Sequence, residues 1–82
     1  MMKVIKQVER AKEINDSDVT LDYIDNELIL YLIDGRETYQ VSCVDGLWRC
    51  DCEDWVYHKD KHLGAYNCKH ILKAIHTLME DA

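Results

Sequence analysis

Two pairs of metal-ligating side chains, Cys50-x-Cys52 and Cys68-x-His70, are separated by the fifteen residues 53–67 in a chain of only 82. A chain of that length buries on folding only about 60% of the surface its unfolded form exposes, so its apolar core is marginal and a staple is expected. Residues two apart on an extended segment point to the same side, so Cys50 and Cys52 can both reach the roughly 2.3 Å zinc–sulfur distance with a modest bend. In a regular helix Cys68 and His70 would stand about 200° apart. Cys68 therefore belongs at a helix boundary, with the longer imidazole reaching back and Asn67 as the cap. The amino end of a helix favours negative charge and lowers a thiol pKa, which suits Cys68 as a thiolate. Cys50, Cys52, Cys68 and His70 are thus the candidate ligands of one structural Zn²⁺. Three thiolates and a neutral imidazole leave the site with net negative charge, which Arg49 and Lys69 are placed to offset. The second ring nitrogen of His70 needs an acceptor, and Asp51, Glu53 and Asp54 are the nearby acids in sequence.

Four cysteines also fit two disulfides, but the amino terminus is too broken by charge for an export signal and no stretch approaches a membrane span. The expected setting is intracellular, cytoplasmic or nucleoid or nuclear, where reducing thiols make metal binding the commoner use of such cysteines. Hydrophobic residues at 48% and charged residues at 32% exclude a disordered chain. The net charge of −6 is uneven: +2 over residues 1–14, −7 over 15–46 and −1 over 47–82. A surface built from the middle segment repels phosphate backbones.

Val4, Ile5, Val8 and Ala11 recur at helical spacing, extended by the Lys12 stem, which predicts an amphipathic helix over residues 3–14 stopped by Asn15-Asp16-Ser17-Asp18. Asp25-Asn26, Asp34-Gly35 and Asp45-Gly46 then mark three tight turns. The two Asp-Gly pairs are type I′ signals, since both central residues of that turn need positive φ. The intervening segments 19–24, 27–33, 36–44 and 47–50 are rich in β-branched and aromatic residues and predict a four-stranded antiparallel meander. Tyr39, Val41 and Cys43 share one face of the third strand, with Thr38, Gln40 and Ser42 on the other, so the sheet has a dry side and a wet one. The apolar run from Leu28 to Ile33 suits a central strand covered on both faces, with the first helix as a candidate cover for one. Residues 51–67 are irregular, after which Ile71, Leu72, Ile75, Leu78 and Met79 form a helical stripe. The fold class is α+β: helix, four-stranded meander, zinc knuckle and carboxy-terminal helix.

The pattern C-x-C-x(15)-C-x-H, with Trp55 three residues after the second cysteine and Cys68-Lys69-His70-Ile71-Leu72 entering an apolar helix, resembles the SWIM-type zinc finger. The resemblance implies two strands and a helix around one zinc over about residues 38–78. The single domain then divides into a helix and two-strand extension, 1–37, and a SWIM-like finger, 38–80. SWIM modules in transposases, chromatin-remodelling ATPases, ubiquitin-pathway proteins and partners of recombinase paralogues bind proteins or nucleic acid. In one subgroup, the small recombination mediators, an alanine stands three residues after the histidine; here that position is Lys73, and the alanine follows as Ala74.

Other residues have a plainer reading. Cys43 fills space on an apolar strand face. His58 and His62 are solvated loop histidines, although either has the chemistry to replace a ligand, and His76 lies on the surface. Trp48 and Trp55 pack over the metal site and last helix, the alternative being to stack a base or anchor a partner. Lys59, Lys61, Lys69 and Lys73 form the one basic cluster, a solvated face by default and the candidate lysines for a partner. Catalysis needs an open zinc position or a base beside a nucleophile. Four compact protein ligands close the site, and the H-x-E and P-C-x-x-C pattern of zinc deaminases is absent from a chain without proline. The expectation is therefore an interaction module with neither membrane nor small-molecule substrate. It would bind a protein within a DNA-related or regulatory assembly, or alternatively DNA or RNA through the basic and aromatic face of the finger.

Overall fold

The computed structural model describes residues 8–60 and 66–81. Residues 3–7 of the expected first helix lie outside these, and residues 8–12 are helical (α1). A 3-10 turn, Asp16–Asp18, leads into strands β1 (Val19–Ile24), β2 (Leu28–Asp34), β3 (Thr38–Val44) and β4 (Leu47–Cys50). Helices α2 (Glu53–His58) and α3 (Lys69–Asp81) follow. The four strands pair in sequence order, each antiparallel to the next, so the meander stands as expected.

The three turns differ more than their sequences suggest. Asp45 (φ 52°) and Gly46 (φ 81°) both take positive φ, the type I′ signature. Asp34-Gly35 does not: Asp34 stays paired with Thr38, and the chain turns over the three residues 35–37. The Thr38 hydroxyl donates to the Asp34 carboxylate at 3.0 Å, which holds Asp34 in the strand. Between β1 and β2 the Asp25 carboxylate accepts the backbone N–H groups of Glu27 and Leu28 at 2.7 and 2.8 Å, and no positive φ is needed at Asn26. Gly46 is where a side chain is excluded on backbone grounds. A Cβ there would meet no atom within 4 Å, yet the φ is one that L residues rarely adopt. Gly46→Ala is expected to cost about 1 kcal/mol through the backbone alone, read as a lower urea midpoint with an unchanged slope.

The register places Val19, Ile29, Tyr31, Ile33, Tyr39, Val41, Cys43, Trp48 and Cys50 on one inner face. There Tyr31, Ile33 and Val41 form the core with Ile71 and Ala74 of α3, and Ile75 and Leu78 pack against it. Full burial of Ile71 stabilises by about 1.5–3 kcal/mol relative to exposure. Met79, expected in this stripe, is 72% exposed, and Leu72 turns toward a groove shared with Val8 and Ala11. Residues 8–16 therefore sit along α3. Leu28, Leu30 and Leu32, on the second face of β2, are half-buried, and the described part of the first helix lies along α3 instead.

Segment 51–67, expected to be irregular, contains α2. Cys52 caps it, its sulfur accepting the Trp55 backbone N–H at 3.4 Å, while Glu53 and Asp54 supply the first-turn acids that complement a helix dipole. His58 is consequently not a solvated loop residue. It donates through Nδ1 to the Asp54 carbonyl at 2.8 Å and stacks on Tyr66, whose hydroxyl donates to the Asp54 carboxylate. His62 lies outside the described residues, and His76 is exposed beside Glu80.

Candidate metal centre

β4 ends at Cys50, the chain bends through Asp51, and Cys52 starts α2; Cys68 precedes α3 and His70 stands in its first turn. The cap of α3 is Cys68, not Asn67, because the Ile71 backbone N–H donates to the Cys68 sulfur and the Leu72 N–H to the Cys68 carbonyl. Cys52 and Cys68 thus occupy equivalent positions, each a helix cap in which backbone N–H groups support a sulfur anion. The Cys52 N–H is also directed at the Cys50 sulfur, 3.5 Å away.

The three sulfurs and one ring nitrogen of His70 lie within 4.8 Å of one another, and all four residues are buried. Nδ1 of His70 is 3.7 Å from Cys50 Sγ and 4.0 Å from Cys68 Sγ. Donors around one tetrahedral zinc, at about 2.3 Å for sulfur and 2.0–2.1 Å for nitrogen, stand roughly 3.5–3.8 Å from each other. The donor set and its spacing fit a single ion of that kind.

Protonation of the trio points the same way. Hydrogen bonds from Cys50 and Cys68 hold the Cys52 thiol far below its ordinary pKa. Sharing its proton with Cys52, and then with Cys68, holds the Cys50 thiol far above its own. For Cys68 the hydrogen bond with Cys50 lowers the pKa, but the one with Cys52 and burial prevail and push it up to about 12. These opposed shifts come from thiols sharing protons in a tight cluster, and a dication is what would let all three ionise together.

The family model of the SWIM zinc finger matches residues 39–79, half of the chain. The chain belongs to the SWIM zinc finger family. No curated protein and no solved structure was found to match it. In this SWIM finger the four residues are positioned to bind one structural zinc, and the module is a zinc-binding one. Among the described residues no helix is long and apolar enough to cross a membrane.

Support for the SWIM site comes partly from residues that sequence spacing could not mark. The Tyr39 ring stacks on His70 with centroids 4.4 Å apart and planes 29° from parallel, which fixes the imidazole plane. The expected acceptors for the second His70 nitrogen, Asp51, Glu53 and Asp54, line one groove with it, and Asp51 also takes the Gln40 backbone N–H at 3.0 Å and Asp54 the Tyr66 hydroxyl. The cations beside the ligands are Arg10, Arg36 and Lys69, which line an open groove with Glu37, Glu53 and Asp54. Arg49, expected among them, pairs with Ser42 on the opposite face of the sheet.

Trp48, Trp55 and Lys59, three of the candidate partner-binding residues, line one groove, while Lys69 and Lys73 lie elsewhere. Trp55 is buried in the core and Lys59 lies over its ring, 5.6 Å from the centroid. Trp48 is half-buried beside Cys43 on the inner face. Cys43 itself is only half-buried and stands apart from the metal-ligand cluster. Lys73, expected in the basic cluster, is 7% exposed and points its ammonium at Asp16. Lys69 is half-buried at the metal groove, and Lys61 lies outside the described residues.

Proposed function

We propose that this SWIM finger is a binding module, not an enzyme, in which zinc held by Cys50, Cys52, Cys68 and His70 fixes the fold and the surface engages a protein partner within a DNA-related or regulatory assembly. The observation that carries the preference for protein over nucleic acid is the inward turn of Lys73. Its charge is committed to Asp16, and of the four candidate lysines only Lys59 and Lys69 stand free of the core among the described residues. Phosphate binding draws its affinity from counterion release by clustered Lys and Arg. The −7 balance of residues 15–46 opposes such contacts over a Debye length of about 8 Å at physiological salt.

One observation favours the alternative: an open groove of about 570 Å³ is lined by Trp48, Trp55, Arg49 and Lys59, which are residue types that stack bases and meet phosphates. Titrating the zinc-loaded chain against single-stranded and duplex DNA and RNA at low and physiological salt separates the two readings. The expected result is weak binding that vanishes at physiological salt, alongside capture of a protein from nuclease-treated extract. Sub-micromolar affinity that survives physiological salt and falls when Lys59, Lys61 and Lys69 are neutralised would place nucleic acid first.

A further inference from the structure

We propose that the outer face of the sheet is the docking surface for an amphipathic helix of the partner, one whose apolar stripe is flanked by lysine and arginine; this rests on the protein-binding reading above. α3 covers the inner face of the sheet, and the other face carries an apolar patch set beside Thr20, Gln40, Ser42 and Arg49. The register sends Tyr23, Leu28, Leu30, Leu32, Val44 and Leu47 to the other side. Tyr23, Val44 and Leu47 are 48%, 42% and 63% exposed.

These side chains are contiguous. Leu28, Val44 and Leu47 stand side by side in one row across β2, β3 and β4, and Tyr23 pairs with Leu30 in the next. The Tyr23 hydroxyl donates to the Asp25 carboxylate at 2.7 Å, so its ring is held in place before anything binds. Strands about 4.8 Å apart make three strands roughly as wide as the 10–12 Å diameter of one helix, which can lie across the patch as α3 lies across the inner face. At the β4 edge, Leu47 and Arg49 border the groove of Trp48 and Trp55, giving a bulky anchor side chain a place to enter.

The rim decides which helix. Asp25, Glu27 and Asp45 occupy the turns at the Leu28–Leu47 end of the patch, and Arg49 is the basic residue on this face. A second copy of the chain would bring the same acids against them, and a phosphate backbone or an anionic lipid surface would be repelled in the same way. A helix bearing lysine and arginine beside a leucine stripe complements both the apolar rows and the acidic rim.

The test uses the zinc-loaded full chain and three synthetic helices of about five turns. One is a Leu/Lys amphipathic helix, one has Glu in place of Lys, and one is the Leu/Lys composition scrambled to destroy the stripe. Amide shift mapping should show saturable binding of the first, with changes centred on Leu28, Leu30, Val44 and Leu47, and affinity about tenfold weaker for the other two. Val44→Thr with Leu47→Gln keeps the charge and should weaken binding about fivefold while zinc content stays at one per chain. Glu27→Gln with Asp45→Asn should weaken it at low salt and have little effect at high salt. Equal affinity for the scrambled helix would reduce the interaction to charge alone and sink the proposal. Shifts centred on Lys59 and Lys69 would sink it too, as would a dimer in sedimentation that the Val44 and Leu47 changes abolish. Failure here leaves a protein partner free to use the finger, whereas success leaves the nucleic-acid titrations to decide the broader reading.

Discussion

Stripping the ion from the loaded chain with a strong chelator is expected to unfold it, with one zinc lost per chain in native mass spectrometry and amide dispersion collapsing together with compactness. Structural zinc in small fingers contributes roughly 10–16 kcal/mol at neutral pH, as much as the whole stability of a typical domain. Here the ligands are also core residues. Cys50, Cys52 and Cys68 pack with Ile71, Trp55 and Val41, so opening the site opens the junction between sheet and helices. Proton release distinguishes a folded metal-free form from an unfolded one. In a preformed cluster the thiols share protons, with Cys50 and Cys68 held high and Cys52 low, so zinc uptake would release fewer than three protons. In an unfolded chain with thiol pKa values of about 8.5, uptake at pH 7 would release about three. Calorimetry in buffers of different ionisation enthalpy should read close to three. Clearly fewer than three protons, with retained amide dispersion after chelation, would show a fold that stands without its metal.

The ligand set was legible because chelation imposes spacing, and spacing is what a sequence records. Cys50-x-Cys52 at a strand end and Cys68-x-His70 at a helix start leave little freedom in how the chain closes. The hairpin at Asp45-Gly46 was legible for a similar reason, since few residue pairs accept two positive φ values. The same dipeptide failed at Asp34-Gly35, where a side-chain hydrogen bond to Thr38 holds Asp34 in the strand and moves the turn by one residue. The six residues of α2 are too few to show a helical period, and their cap is a cysteine, which ordinary capping preferences do not suggest. Lys73 looked like a surface charge because its counterion, Asp16, lies 57 residues earlier in the chain. Tyr39 was read correctly as an inner-face residue, but its stacking on His70 depends on how α3 crosses β3 and is invisible in either strand or helix alone.

The run from Leu28 to Ile33 shows how far pattern can carry an inference and where it stops. Unbroken apolarity says that both faces of β2 avoid water, and it does not say which molecule supplies the cover. α3 supplies it for Tyr31 and Ile33. For Leu28, Leu30 and Leu32 the acidic turns around them are what the chain offers as a guide, and acids at the rim of an apolar patch select a cationic neighbour.

Replacing Cys68 by serine should remove zinc and the folded state together, whereas replacing Cys43 by serine should leave both. Cys68 is fully buried, and its sulfur is both a prospective ligand and the acceptor of the Ile71 backbone N–H. Serine is a good helix cap, so Cys68→Ser preserves the start of α3 and isolates the loss of the thiolate. What remains is a three-donor site with a neutral hydroxyl in the fourth place, which zinc binds far more weakly. Cys43 is half-buried opposite Trp48 on the inner face and stands outside the ligand cluster. Its replacement costs about 1 kcal/mol of packing and desolvation, equivalent to roughly 4–8 °C in Tm for a domain of this size. Zinc content by mass spectrometry and thermal unfolding of the two variants, measured side by side, should therefore separate them: less than one zinc and no cooperative transition for Cys68→Ser, one zinc and a modestly lowered Tm for Cys43→Ser. Equal zinc loss in both would bring Cys43 into the coordination shell, and a Cys68→Ser chain that keeps one tightly held zinc would mean that the ion is held by a different set of donors.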